Sequence, residues 1–199
     1  KRQEEAGAML DEVFGSLPES GRSAFVRTAE VDFASGDKNI ARVLPQSIAQ
    51  FAAPGVARSN GDFYPLYVAN HILGGSGLTS RLSLAAREDE ALTYGVYSYM
   101  STAEKAPLLL GGFSATPENF LRVKEIVREE WRKMGEKGVT PEEFNAAKEY
   151  LLASYNLRFA SIGDIADILT AMQKEELGID FLQKRNDYIR NIKLQEVNN

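Results

Sequence analysis

The chain has 199 residues, 44% hydrophobic and 26% charged, which is enough apolar material for a core and too much for a disordered segment. Lys plus Arg number 23 against 28 Asp plus Glu, a net charge of −5 that argues against a nucleic-acid partner, and no apolar run is long enough to span a membrane. With no cysteine and a single histidine, His71, the chain cannot supply a disulfide, a thiolate ligand, a cysteine nucleophile or a zinc site needing two imidazoles. Lys1 opens the sequence where a start methionine would stand, so an upstream stretch is expected and the lack of a secretory leader carries no weight.

Residues 3–14 carry Ala6, Met9, Leu10, Val13 and Phe14 at helical spacing, with Gly15 as a left-handed stop. Ser16 to Gly36 mixes Ser, Gly, Pro and charge without periodicity and reads as a linker. Residues 1–37 are therefore expected to be the tail of a preceding domain plus a linker, and residues 38–199 a second domain. Ile40–Leu44 and Gln46–Ala53 read as extended, closed by a Pro54-Gly55 turn. Asp62–Leu73 reads as a helix, followed by the Gly74-Gly75-Ser76-Gly77 corner and a second helix from about Thr79 to Asp89. Leu92–Met100 alternates as a strand, placing Leu92, Tyr94, Val96, Ser98 and Met100 on one face and Thr93, Gly95, Tyr97 and Tyr99 on the other. Leu108–Ala115 is more continuously apolar, which suits a central strand.

The remainder reads as helical. Phe120, Val123, Val127, Trp131 and Met134 form a stripe within Pro117–Lys137. Thr140-Pro141-Glu142-Glu143 carries a capping box with proline at the first helical position, ahead of Phe144, Ala147, Leu151 and Tyr155. Helices over about 162–176 and 181–191 come next, and the chain then runs out in polar residues with no closing strand. Strands first and helices grouped behind them imply an α+β domain, an antiparallel-rich sheet with helices packed mainly on one face.

Several features could carry chemistry. The glycine corner could cradle an anion on its backbone N–H groups, but no strand precedes it and no phosphate-loop lysine follows, so a helix–helix turn needing left-handed residues is the better account. His71 lies on the apolar side of its helix, where packing explains a lone imidazole. Glu88-Asp89-Glu90, Glu129-Glu130 and Glu175-Glu176 lack the alternating ligand pattern of a calcium loop and read as solvated faces. Tyr97 and Tyr99 could line a groove or serve cross-strand packing. Arg87, in the last turn of one helix, and Tyr94, near the start of the next strand, could aim a guanidinium and a phenol at one cleft. A helix C-terminal arginine and a sheet-packing tyrosine are the alternative.

The ordered set Asn70-His71-Ile72-Leu73-Gly74-Gly75-Ser76-Gly77, Leu78-Thr79-Ser80-Arg81-Leu82, Arg87 and Leu92-Thr93-Tyr94-Gly95-Val96-Tyr97-Ser98 resembles the C-terminal domain of the pitrilysin/insulinase family of zinc metallopeptidases. Gly61-Asp62-Phe63-Tyr64, Leu157-Arg158-Phe159 and Leu177-Gly178-Ile179-Asp180 extend the match to about residues 46–191. The chain is most similar to the zinc-free subunit of two-subunit bacterial members. The resemblance implies that Arg87 and Tyr94 are catalytic in trans: Tyr94 as an oxyanion donor, Arg87 as a holder of the peptide backbone. It also implies that no cofactor is held here, that zinc sits in a partner domain or subunit, that the ligand is a peptide, and that the domain lacks its last strand. A periplasmic or envelope location is implied, and homodimerisation through an exposed sheet edge is open. The family usually has basic residues and a glycine between the pair, whereas this chain has Asp89, Glu90 and Ala91. A non-catalytic assembly subunit of the same fold is the rival expectation, and an anion-binding module a third.

Overall fold

Leu108–Ala115 (β3) is the middle strand of an antiparallel sheet ordered β1-β3-β2, with Ser47–Pro54 (β1) and Thr93–Ser101 (β2) at its edges. The computed structural model describes residues 3–21, 27, 29, 32, 36–103 and 105–199. Most of the segment expected to be a linker lies outside the described residues. A strand with neighbours on both sides has no polar edge to present to water, which is why β3 is the most continuously apolar of the three.

The sheet's inner face is set by register. Ala49 and Val96 flank Phe113, and Phe51 and Ser98 flank Gly111. A Cβ at Gly111 would lie 2.3 Å from the Phe51 ring, so glycine there lets the ring lie across the strand. Onto this face packs α4 (Phe120–Lys137), burying Val123, Ile126 and Val127 with Leu73, Leu82, Val96 and Phe113. Trp131 meets Phe51 edge-on at 5.7 Å, as its place in the helical stripe requires.

A second cluster lies among the helices. Val68 of α2 (Phe63–Asn70), Phe144, Ala147 and Leu151 of α5 (Pro141–Ala153) and Ile189 of α7 (Phe181–Asn191) are buried together with Val139 and Ile192. The capping box at the start of α5 is complete: Thr140 Oγ1 accepts from Glu143 N at 3.2 Å, and a Glu143 carboxylate oxygen accepts from Thr140 N at 2.8 Å. Glu143 is also gripped by Arg81 Nε and Nη2, both at 2.6 Å, and Nη2 donates to Gly138 O at 3.0 Å as well. One arginine thus ties α3 (Arg81–Ser83) to the turn ahead of α5. Helices therefore cover one face of the sheet, as expected, while Ile48, Tyr97 and Tyr99 on the other face are exposed.

Several local expectations need correction. Helix α1 (Gln3–Phe14) has the expected bounds and buries none of its residues, but Gly15 ends it without a positive φ. Ile40–Leu44 joins no strand; residues 40–44 are exposed. Pro54 ends β1 instead of turning the chain, and Gly55 N continues the pairing by donating to Pro107 O at 3.1 Å. Proline is tolerated because β1 is an edge strand. After α6 (Ile162–Lys174) and α7, the chain does not simply run out. Leu194–Val197 forms a short helix, α8, whose two apolar ends pack on the second cluster. Asn198 then bonds both backbone groups of Val139.

Candidate functional site

The helix expected over Asp62–Leu73 changes pitch partway. α2 runs to Asn70 and continues as a π-helical turn, His71–Gly75; a 3₁₀ turn, Gly77–Thr79, leads into α3, which continues as π-helical turns over Leu84–Asp89. Each π turn adds a residue per turn and so rotates the chain beyond it, a device concentrated at functional sites. The corner between them is held by Ser80, whose hydroxyl donates to Gly77 O at 2.9 Å and accepts from Ser83 N at 3.3 Å. Its two critical glycines act differently. Gly77 adopts φ +64, whereas a Cβ at Gly74 would fall 2.5 Å from Ser98 Oγ and 2.6 Å from Ser98 N. Ser98 Oγ donates to Asn70 Oδ1 at 2.7 Å, so helix and strand are locked together at this approach.

The π segment carries Arg87 toward the sheet, and Ala91 reverses the chain with φ +53. Leu92 N closes the turn onto Ala86 O at 2.9 Å. Arg87 is half-buried; its Nε lies 3.7 Å from a Glu88 carboxylate oxygen, and among the described residues no hydrogen bond joins it to Tyr94. Glu90 is bound by Arg122 of α4 through two oxygens, which lowers its pKa and offsets its charge beside the turn.

Tyr94 does not face the core with Val96 and Ser98. Thr93 pairs with Ala115 and Gly95 with Ser114, leaving Tyr94 as the extra residue of a β-bulge. The alternation therefore slips by one: Thr93 is buried, and Tyr94 is 85% exposed. Thr93 fixes the bulge by donating to Ser114 O at 2.5 Å and accepting from Gly95 N at 3.1 Å. Sequence reasoning missed Thr93; the only trace of its role is a threonine two residues ahead of a glycine at a strand's start. Tyr97 and Tyr99 project to the open face, stacked on each other at 6.2 Å. Gly112, opposite Tyr97, leaves room for its ring.

The other candidates fit structural roles. His71 is 9% exposed and stacked on Tyr150 at 5.1 Å, and burial pushes its pKa down. Among the described residues no three His, Asp or Glu side chains come together, and the chain's one imidazole is stacked on Tyr150. No helix among the described residues is long and apolar enough to cross a membrane.

The family model described as the peptidase M16 inactive domain matches residues 2–151. An uncharacterized zinc protease of Streptomyces coelicolor is 30% identical over 175 residues, 87% of this chain and 36% of its own length. A non-peptidase homolog from Helicobacter pylori, YmxG, is 30% identical over 175 residues, 83% of this chain and 39% of its own. Among solved structures, a peptidase M16 inactive domain from Pseudomonas fluorescens superposes with a TM-score of 0.69 at 27% identity, covering 77% of this chain and 36% of that one. The chain thus spans little more than a third of the length of these relatives.

Proposed function

The chain belongs to the peptidase M16 inactive-domain family, and from that premise we propose that it completes a peptide-binding cleft for a zinc-bearing M16 domain or subunit, contributing Arg87 and Tyr94 in trans. One observation carries the reading: the bulge at residues 93–95 takes a tyrosine out of a buried alternation and holds it 85% exposed at the strand end that follows Arg87's helix. A strand gains no packing from such a bulge, and bulges of this kind serve to re-aim a side chain.

In that cleft the Tyr94 hydroxyl donates to the oxyanion that develops on the scissile carbonyl, and the Arg87 guanidinium donates to a backbone carbonyl of the bound peptide, fixing its register. The open sheet face bearing Tyr97 and Tyr99 forms a wall beside them. Zinc, in the partner, supplies carbonyl polarisation and the activated water. This chain contributes position and donors alone, so by itself it hydrolyses nothing.

The test is peptide hydrolysis by the full-length protein with its purified zinc-bearing partner, comparing wild type with Tyr94→Phe. Loss of an oxyanion donor lowers kcat by about 10²–10³. Because Tyr94 is exposed, the variant should fold normally, so unchanged turnover would sink the proposal. The second reading, an assembly subunit without chemistry, is favoured by the non-peptidase relative and by Ala91 and Glu90 between the pair. It is supported if Tyr94→Phe leaves both turnover and partner binding intact.

A further inference from the structure

At the other end of β2 from Tyr94, beyond Thr102, lies a cavity of about 200 Å³ between α2, α6 and α7. Its charge is unbalanced. Arg58 is satisfied, with Nε 3.2 Å from Glu175, Nη2 donating to Tyr64 Oη at 3.0 Å and its plane 3.9 Å above Phe63. Glu175 is occupied too, accepting from Thr102 Oγ1 at 2.7 Å. Arg185 is different: 6% exposed, with no carboxylate in salt-bridge range among the described residues. One end of its guanidinium caps α5 through Leu151 O at 2.7 Å and also meets Asn186 Oδ1 at 3.0 Å. Its plane lies 4.4 Å from the Tyr155 ring. Arg158, exposed at the rim, likewise has no carboxylate partner among the described residues.

Into this setting points a hydroxyl with nothing to bond. Tyr155 is 6% exposed, and its Oη is the one buried side-chain polar atom without a partner among the described residues. A buried unpaired donor destabilises the folded state, and a fold relieves it by packing or a bond unless something else fills the place. Burial raises its pKa, and the two cations near it, Arg185 and Arg158, offset that rise only in part. An orphan O–H, two guanidiniums without counter-ions and aromatic walls match a planar anion attached to an apolar body.

We propose that this cavity is a binding site for an amphipathic carboxylate, its anionic end on Tyr155 Oη and the Arg158 and Arg185 guanidiniums and its apolar end against Phe63 and Met172. The source is either the free C-terminus of a peptide or a small aryl or alkyl acid. The inference does not depend on Arg87 or Tyr94, so it stands or falls separately from the cleft.

Calorimetric titration of the full chain with 3-phenylpropionate, its neutral amide, inorganic phosphate, and an acetylated dipeptide ending in Phe with a free or amidated C-terminus tests it. The acid should bind saturably and the amide at least about tenfold more weakly. Tyr155→Phe should cut acid affinity by about 10- to 100-fold while leaving the melting temperature unchanged or raised, since it removes an unsatisfied group. Arg158→Gln, at an exposed position, should weaken the acid without affecting the amide. Tighter binding of the free-carboxylate dipeptide assigns the site to peptide termini, and tighter binding of 3-phenylpropionate assigns it to small acids. Equal affinity for acid and amide, equal affinity for phosphate alone, or full acid affinity in Tyr155→Phe would overturn the proposal.

Discussion

Replacing Ala91 by glycine should stabilise the protein, against the usual direction for glycine substitutions. Ala91 holds φ +53 in the turn between Arg87 and Tyr94, and its side chain is exposed. The left-handed conformation costs an L-residue about 1–2 kcal/mol through Cβ crowding against the backbone. Glycine removes that cost but enlarges the unfolded ensemble, returning about 0.4–1 kcal/mol. The exposed methyl adds little burial to lose, so the balance is about 0.5–1 kcal/mol of added stability. For a chain of this size that raises Tm by roughly 1–4 °C. Equilibrium urea unfolding is the assay: the midpoint should rise with the slope unchanged. Glu176 offers a second instance, with φ +52 after α6, where Leu177 N bonds Met172 O at 3.0 Å and Glu176 N bonds Gln173 O at 3.2 Å. An unchanged or lower midpoint for Ala91→Gly would refute the strain argument and, with it, the view that the turn between the two candidate side chains stores backbone energy.

Other expectations rest on single contacts. Gly74→Ala drives a methyl into Ser98 N and Oγ, at 2.6 and 2.5 Å, and should cost about 1–3 kcal/mol by chemical denaturation. Thr140→Ala removes one half of the α5 capping box and should cost about 1 kcal/mol, read the same way. Glu143, whose pKa is lowered chiefly by the Arg81 hydrogen bond, contributes stability that is full above its unfolded pKa and lost as pH falls through its folded one; Glu143→Gln should flatten that acid limb. His71 titrates in the opposite chemical sense but with the same slope. Its folded pKa lies below the unfolded value of 6.5, so the unfolded chain binds the proton first and stability falls as pH drops below that value. His71→Phe, which preserves the stack on Tyr150, should remove this step in pH-dependent melting.

What the sequence determined was everything carried by neighbours along the chain. Thr140 and Glu143 are three residues apart and find each other in any helix that starts there. Val123, Val127 and Trp131 share a face by helical geometry alone, and the apolar run over residues 108–115 could be satisfied only between two other strands. The family pattern through Gly74, Arg87 and Tyr94 was legible for the same reason, being a string of closely spaced residues. Tertiary structure decided the rest. Strict alternation put Tyr94 on one face with Val96 and Ser98, and only the pairing of β2 with β3, which gives Thr93 and Gly95 successive partners, turned it away from them. The pitch changes at His71 and Leu84 carried no signal in the periodicity of either segment. The cavity around Tyr155 draws Arg58 and Phe63, Arg158, and Arg185 from three separate stretches of chain, and no periodicity links them. An unpaired hydroxyl is a property of a three-dimensional neighbourhood, since whether a donor finds an acceptor depends on every element that closes around it.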